Sequence, residues 1–223
     1  MIAADGPLPL DKYMSLCLGH PEHGYYMKGE PVGARGAFTT APEVSQMFGE
    51  LIGAWCHAMW SGTGAPSKFY WVELGPGRGT LFADMLRIAQ LDPAFQKAAH
   101  AVLVETSPKL QQAQRNRLAD SKIPIRWVES LDELSADAPV ILVANEFFDA
   151  LPVRQAIKGA RGWHERVVGE IDGALALGAA PALLNEALIQ EPLRDAPQGS
   201  VVEFAPARDA ATTALARRIS TQG

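Results

Sequence analysis

Val44, Met47, Phe48, Leu51, Ile52, Trp55 and Met59 recur at intervals of three and four, which predicts one amphipathic helix with these side chains on its buried face. Ahead of it, Thr40-Ala41-Pro42-Glu43 reads as a capping box, the Thr hydroxyl and the Glu carboxylate exchanging bonds with backbone amides. Pro42 in the first turn costs no intrahelical bond. Residues 1–40 read as loop-rich, with a helical hint around 10–18 and a Gly/Pro/Tyr-rich stretch over 20–36. Residues 62–66 mark a break.

Beyond that break the period changes. Phe69-Tyr70-Trp71-Val72-Glu73-Leu74 is a buried strand, followed by a glycine turn and a helix over 80–90 with Leu81, Met85, Ile88 and Ala89 on one side. Residues 101–105 form a second strand, and Ser107-Pro108 caps a helix running towards Leu118. Residues 125–128 are a third strand, Ser130-x-x-Glu133 is another capping box, and 139–144 is a fourth strand. Nearly continuous apolar strands alternating with helices predict an α/β, Rossmann-like fold: a mostly parallel sheet covered by helices. After Pro152, short runs at 153–157, 163–168 and 174–177, separated by Gly turns, predict an antiparallel insertion over about 153–200. Residues 201–204 are a last short strand, and a helix spans 207–220. The domain reading is an N-terminal loop and helix extension over 1–66, then the α/β domain over 67–223. The fourth strand would lie as a long apolar edge, which proteins normally cover, so the chain is expected to be a fragment lacking the strands that follow.

Composition narrows the function classes. Of the 223 residues 48% are hydrophobic and 20% charged, as in a folded globular protein and not a disordered one. Twenty basic against twenty-five acidic residues give a net charge of −5. No positive field favours nucleic acid or an anionic membrane. The apolar runs are too short to span a bilayer, and no basic n-region precedes an apolar stretch at the start. Cys17 and Cys56 have neither metal-ligand spacing nor a disulfide partner pattern, and read as reduced thiols. A soluble intracellular protein is expected.

The chemistry concentrates in Glu73-Leu74-Gly75-Pro76-Gly77-Arg78-Gly79-Thr80, between a strand and a helix. Glycines there let the chain turn sharply and let a ligand lie against bare backbone and helix N-terminal amides. A phosphate-cradling P-loop needs Gly-Lys-Ser/Thr, and no lysine is present. A dinucleotide fingerprint would place its third glycine where Thr80 stands. The G-x-G-x-G spacing with a preceding acid suits S-adenosylmethionine, whose ammonium makes Glu73 a plausible partner. Glu105, ending the second strand, is placed to accept both ribose hydroxyls. The alternative is a plain strand–helix turn with Glu105 as a solvated strand end. At the end of strand four, Asn145-Glu146-Phe147-Phe148-Asp149 faces the same crevice, and two carboxylates, an amide and two aromatics suit a cationic nitrogen substrate. Alternatively the two Phe are core, Asp149 caps a turn and Glu146 alone sees the cleft. His20 and His23 read as surface residues, the Trp55, Met59 and Trp60 cluster as core, Arg78 as a solvated turn residue, and Glu43 either as a cap or as reaching the cleft.

These motifs, residues 73–81, Val104-Glu105-Thr106-Ser107-Pro108 and residues 145–155, resemble the MidA-like methyltransferases. Gly24-Tyr25-Tyr26, residues 38–50 and Gly162-Trp163-His164-Glu165-Arg166-Val167 match as well, so the resemblance covers essentially the whole chain. This family includes the mitochondrial protein arginine methyltransferase that assists respiratory complex I assembly. The resemblance implies a class I methyltransferase fold, S-adenosyl-L-methionine as cofactor, and a protein substrate: an arginine of the complex I subunit beside the quinone site. It implies Glu73, Gly75, Gly77 and Gly79 at the methionine end, Glu105 at the ribose, Ser130 and Leu131 bordering the adenine, and Asn145 and Glu146 beside the methyl group; Asp149 is a further catalytic candidate on its own chemistry, as a second carboxylate to hold a guanidinium. Thr39 and Tyr26 lie over the cofactor by resemblance alone. Where the family has Asp, this chain has Ala37, and the family continues past Gly223 with an Asp-Tyr-Gly motif. The compartment implied is the bacterial cytoplasm or, in a eukaryote, the mitochondrial matrix. Two further readings stay open: a non-catalytic cofactor-binding assembly module, and a small-molecule methyltransferase.

Overall fold

The computed structural model describes residues 2–28 and 40–220. In chain order come α1 (Ile2–Asp5), β1 (Leu8–Pro9), α2 (Leu10–Gly19), α3 (Tyr25–Lys28), α4 (Ala41–Val44) and α5 (Gln46–Gly62). Then follow β2 (Phe69–Leu74), α6 (Thr80–Ala89), α7 (Pro93–Ala98), β3 (Ala99–Val104), α8 (Pro108–Arg117), β4 (Ile125–Val128) and β5 (Val140–Val143). The chain closes with β6 (Arg154–Lys158), β7 (Trp163–Ile171), β8 (Ala174–Leu183), β9 (Val201–Phe204) and α9 (Pro206–Ser220). They form two compact units, one of Met1–Tyr25 and Ala150–Ala211, the other of Tyr26–Asp149 and Thr212–Gly223.

The second unit holds a parallel sheet in the order β4-β3-β2-β5. Side chains alternate across a strand, so β2 sends Phe69, Trp71 and Glu73 to one face and Tyr70, Val72 and Leu74 to the other. Phe69 and Trp71 are fully buried with Phe82, Met85, Phe95, Cys56 and Trp60. Val72 and Leu74 pack with Val102, Val128 and Leu134 on the opposite face, against which Leu131, Phe147 and Leu215 also rest. Ser107 caps α8 by accepting from the Leu110 N–H, and the Ser130–Glu133 capping box closes on a single 3-10 turn.

The predicted helix over 40–59 differs in two respects. Extended backbone at Ser45 splits it into α4 and α5, and Thr40 makes no side-chain cap bond: the Glu43 N–H donates to the Thr40 carbonyl at 2.9 Å, while the Glu43 carboxylate accepts from the Thr80 hydroxyl at 2.5 Å. The buried face also turns out to be Gly49, Gly53, Cys56 and Trp60, whereas Val44 (72% exposed), Met47, Leu51 (63%), Trp55 and Met59 point outward. The expected Trp55 and Met59 core is therefore overturned, and only Trp60 of that cluster is core. The cause is close helix packing: a Cβ on Gly49 would lie 2.5 Å from Asp84 Cβ, and one on Gly53 2.9 Å from Met85 Cα. A glycine stripe lets α5 press its backbone onto α6, and the bulky residues face the other way.

The first unit is the antiparallel sheet expected after Pro152, with β7 pairing β1, β6 and β8, and β6 pairing β9. It recruits Leu8 and Pro9 opposite Val168 and Val167, a pairing the sequence did not suggest. Asp172 and Gly173, both at positive φ, make the tight β7–β8 turn. Ala156, Trp163 and Ile189 form its small core, and the Arg154 guanidinium grips both Glu165 carboxylate oxygens at 2.7 and 2.8 Å.

Candidate functional site

Four parallel strands in register bring their carboxyl ends to one edge. Leu74 stands opposite Val104, Val104 opposite Val128, and Glu73 opposite Val143. The residues that follow the strands therefore line one edge in the order Ser130 after β4, Glu105 after β3, the glycine turn after β2, and Asn145 with Glu146 after β5. This is the edge where open α/β sheets bind ligands.

In the turn, Gly75, Gly77 and Gly79 all adopt positive φ (59°, 53° and 76°), a region open to glycine at little cost. Gly75 must also admit a ring, since a Cβ there would lie 2.9 Å from Phe147 Cδ2. Gly77 differs, because nothing lies within 4 Å of where its Cβ would be. The backbone is thus bare on an open side at Gly77, which is what a ligand lying along the turn requires. Gly79 ends the turn as the N-cap of α6.

Glu73 is 3% exposed, and its Oε2 has no hydrogen-bond partner among the described residues. Burial pushes its carboxyl up to about 8, so the side chain is mostly protonated at neutral pH until a cation arrives to favour the charged form. The consequence for stability follows from proton linkage. The folded state keeps a proton that the unfolded chain releases near 4.5, so stability declines as pH rises from about 4.5 to about 8 and is level beyond, by up to about 5 kcal/mol in all. Glu73→Gln is therefore expected to leave stability unchanged at pH 4 and to raise it by about 2–4 kcal/mol at pH 8.5. Urea unfolding at the two pH values checks this, and equal effects at both would refute it.

Glu105 is also buried. Its Oε1 accepts from the Ser107 N–H at 2.9 Å and its Oε2 from Gln114 Nε2 at 3.3 Å. Burial raises its pKa, and these donors oppose the rise. Gln111 Nε2 donates to the Glu105 carbonyl at 2.8 Å, and the Ser107 hydroxyl donates to the Tyr26 carbonyl at 3.3 Å. Gln114 is a residue that the sequence does not mark: it is fully buried at the centre of these bonds, donating to the Gly77 carbonyl at 2.7 Å and accepting from Trp127 Nε1 at 2.8 Å. Nothing in the pattern marks it, because a Gln in a polar helix reads as surface.

The other candidates fall as follows. Asn145 is half-buried and Glu146 exposed, and Glu146 has φ of 51°, in the left-handed region where a non-glycine residue is strained. Phe147 and Phe148 are half-buried and meet edge-on at 5.4 Å, so neither is the deep core residue of the alternative reading. Asp149 is exposed. The Ser130 hydroxyl already accepts from the Asp132 N–H at 3.2 Å, while Leu131 packs on the Val72 face of the sheet. Glu43 touches Thr80 at the first residue of α6, beside the glycine turn. Thr39 and Ala37 lie outside the described residues. No group of three metal-ligating side chains, and no helix long and apolar enough to cross a membrane, occurs among the described residues.

The site tests well against the cofactor suggested by the motif: an orphaned, sealed carboxyl oxygen at Glu73, an open backbone face at Gly77, and a second carboxylate held by two donors at Glu105. Comparisons with known proteins point the same way. A family model described as "Putative S-adenosyl-L-methionine-dependent methyltransferase" matches residues 51–223. Among curated relatives, the protein arginine methyltransferase NDUFAF7, mitochondrial, of Danio rerio is 37% identical over 85% of this chain and 51% of its own length. The Homo sapiens protein of the same name is 36% identical over all of this chain and 55% of its own. The chain spans about half the length of the curated relatives it matches. A crystal structure of a COG1565 superfamily member from Burkholderia thailandensis, bound to S-adenosyl-homocysteine, aligns with a TM-score of 0.80 and 29% identity, covering 96% of this chain and 56% of that one.

Proposed function

We propose that this chain, which belongs to the family of S-adenosyl-L-methionine-dependent methyltransferases, holds that cofactor at the β2–β5 strand ends and transfers its methyl group to an arginine of a protein substrate. The observation that carries the reading is the glycine turn with buried acids at two adjacent strand ends, one of them lacking a partner for an oxygen. The cofactor supplies a sulfonium-activated methyl, so the protein's task is to align a nucleophile and balance charge. The Gly77 side of the turn leaves backbone open for the methionine portion, Glu73 offers the counter-charge for its ammonium, and Glu105 offers acceptors for the ribose hydroxyls.

A guanidinium is protonated and delocalised at neutral pH, hence a poor nucleophile. Glu146, exposed at the end of β5 with Asn145 before it and Asp149 after it, would hold that cation and concentrate density on one nitrogen. The names of the curated relatives support an arginine acceptor. Following the resemblance, the acceptor we propose is the complex I subunit beside the quinone site. The same names support the mitochondrial compartment of the two expected, and none supports the cytoplasmic one.

Calorimetry with S-adenosylhomocysteine tests the binding half. Glu105→Ala removes two charge-assisted acceptors and should weaken binding about a hundredfold. Equal affinity in wild type and variant would move the ribose elsewhere, and no binding by the folded wild-type chain would overturn the cofactor site.

A further inference from the structure

We propose that Gln114 is a positioning residue that ties the glycine turn and the Glu105 carboxylate into one unit, so that the methionine and ribose ends of the cofactor site are set together. This rests on the cofactor reading above and adds to it a residue on α8 that no motif contains.

The geometry leaves the side chain no freedom. Gln114 is fully buried, and its Nε2 donates to the Gly77 carbonyl at 2.7 Å and to Glu105 Oε2 at 3.3 Å. Its Oε1 accepts from Trp127 Nε1 at 2.8 Å. Both amide hydrogens and the oxygen are therefore used. Turning the amide over would set oxygen against a carbonyl and a carboxylate, and an NH2 against an indole N–H, so one orientation alone is allowed. The stem also touches the turn, its Cγ lying 3.3 Å from where a Gly79 Cβ would be. Arg115, the next residue, stacks over the Trp127 ring at 4.1 Å and holds that ring in place. The chain of contact thus runs from β4 through Gln114 to the turn after β2 and the acid after β3. A buried polar group in a fully satisfied network fixes one geometry, and losing a member leaves the others unpaired.

Around Glu105 the facing groups are the Ser107 and Thr106 N–H groups and the Gln114 amide, with no charged side chain among those that shift its titration. Gln114→Met keeps the volume and removes the donors. Two results are expected by calorimetry: S-adenosylhomocysteine binds at least tenfold more weakly, and the pH below which adenosine affinity is lost moves upward, because Glu105 has lost a donor that favours its charged form. A side chain that only packs would lower stability and leave that pH where it is. Trp127 emission should also change in the variant, reporting the freed indole N–H. Trp127→Phe is the second arm, should the first variant not fold. It unseats the amide oxygen while leaving both donors, and is expected to weaken adenosine about threefold. Wild type that binds, with folded variants of unchanged affinity and unchanged pH profile, overturns this inference alone. Wild type that binds neither probe overturns the cofactor reading and this inference with it.

Discussion

Gly75→Ala is expected to abolish measurable cofactor binding, a loss of more than a hundredfold, and to lower stability by about 2–5 kcal/mol. Two independent costs add at this position. The backbone sits at φ of 59°, where an L side chain costs about 1–2 kcal/mol. The new methyl would also stand 2.9 Å from Phe147, so the ring must leave its place against the Val72 and Leu74 face, with a repacking cost of about 1–3 kcal/mol. Phe147 follows Glu146 directly, so displacing it moves the end of β5 as well as the turn. Gly77→Ala is the control that separates strain from occupancy. Its φ of 53° costs the same 1–2 kcal/mol, but its Cβ meets nothing. If a ligand lies along the turn, Gly77→Ala should lose affinity out of proportion to its small loss of stability. Urea denaturation and S-adenosylhomocysteine calorimetry on both variants decide it. Full binding by Gly75→Ala would remove the glycine turn from the site.

Glu146→Gln is expected to bind cofactor as wild type does and to lose methyl transfer about a hundredfold or more, the scale on which a preorganised charge acts at a reacting centre. The backbone supplies a sharper variant. Glu146 is strained at φ of 51°, and residues held in sparsely populated conformations tend to be kept where function needs them. Glu146→Gly relieves that strain, so it should be at least as stable as wild type while being as inactive as the Gln variant. Loss of activity together with gain of stability is the signature of a residue retained for function. Transfer is measured with labelled cofactor on an arginine-containing protein acceptor. Retained turnover in both variants would assign the substrate cation to another group, Asp149 being the nearest in sequence.

Much of this is legible in the amino-acid sequence. The strand over 69–74, the Ser107-Pro108 cap, the Ser130–Glu133 box and the antiparallel run after Pro152 were all readable, because each is local: a run of apolar residues, a hydroxyl before a helix, a glycine between strands. The motifs spread along the chain also gather at one edge in space, since a parallel sheet brings the carboxyl ends of its strands to the same side, although the order β4-β3-β2-β5 seats β5 beside β2 and not beside β4. What could not be read depends on contact between distant segments. The helical spacing of apolar residues marks one face of α5, but the packing is decided by two glycines whose value lies in what they lack. Glu43 has the spacing of a cap, and finds Thr80 thirty-seven residues on. Gln114 sits in a helix of Gln, Arg and Asn whose composition promises only solvent. Polar residues that organise a site are hidden from periodicity, because periodicity counts only what avoids water.

The two-residue strand near the start has a consequence for how the molecule is made. Leu8 and Pro9 pair with Val168 and Val167, so the antiparallel sheet joins segments that leave the ribosome far apart in time. At about 5–20 residues per second, the opening segment waits on the order of ten seconds or more for its partner strand. The four described strands of the parallel sheet, laid down between Phe69 and Val143, precede Val168 by about 1–5 seconds at that rate. Synthesis therefore favours an order of events in which the strand ends that carry the glycine turn and its acids assemble first, and the segment that begins the chain is among the last to find its place.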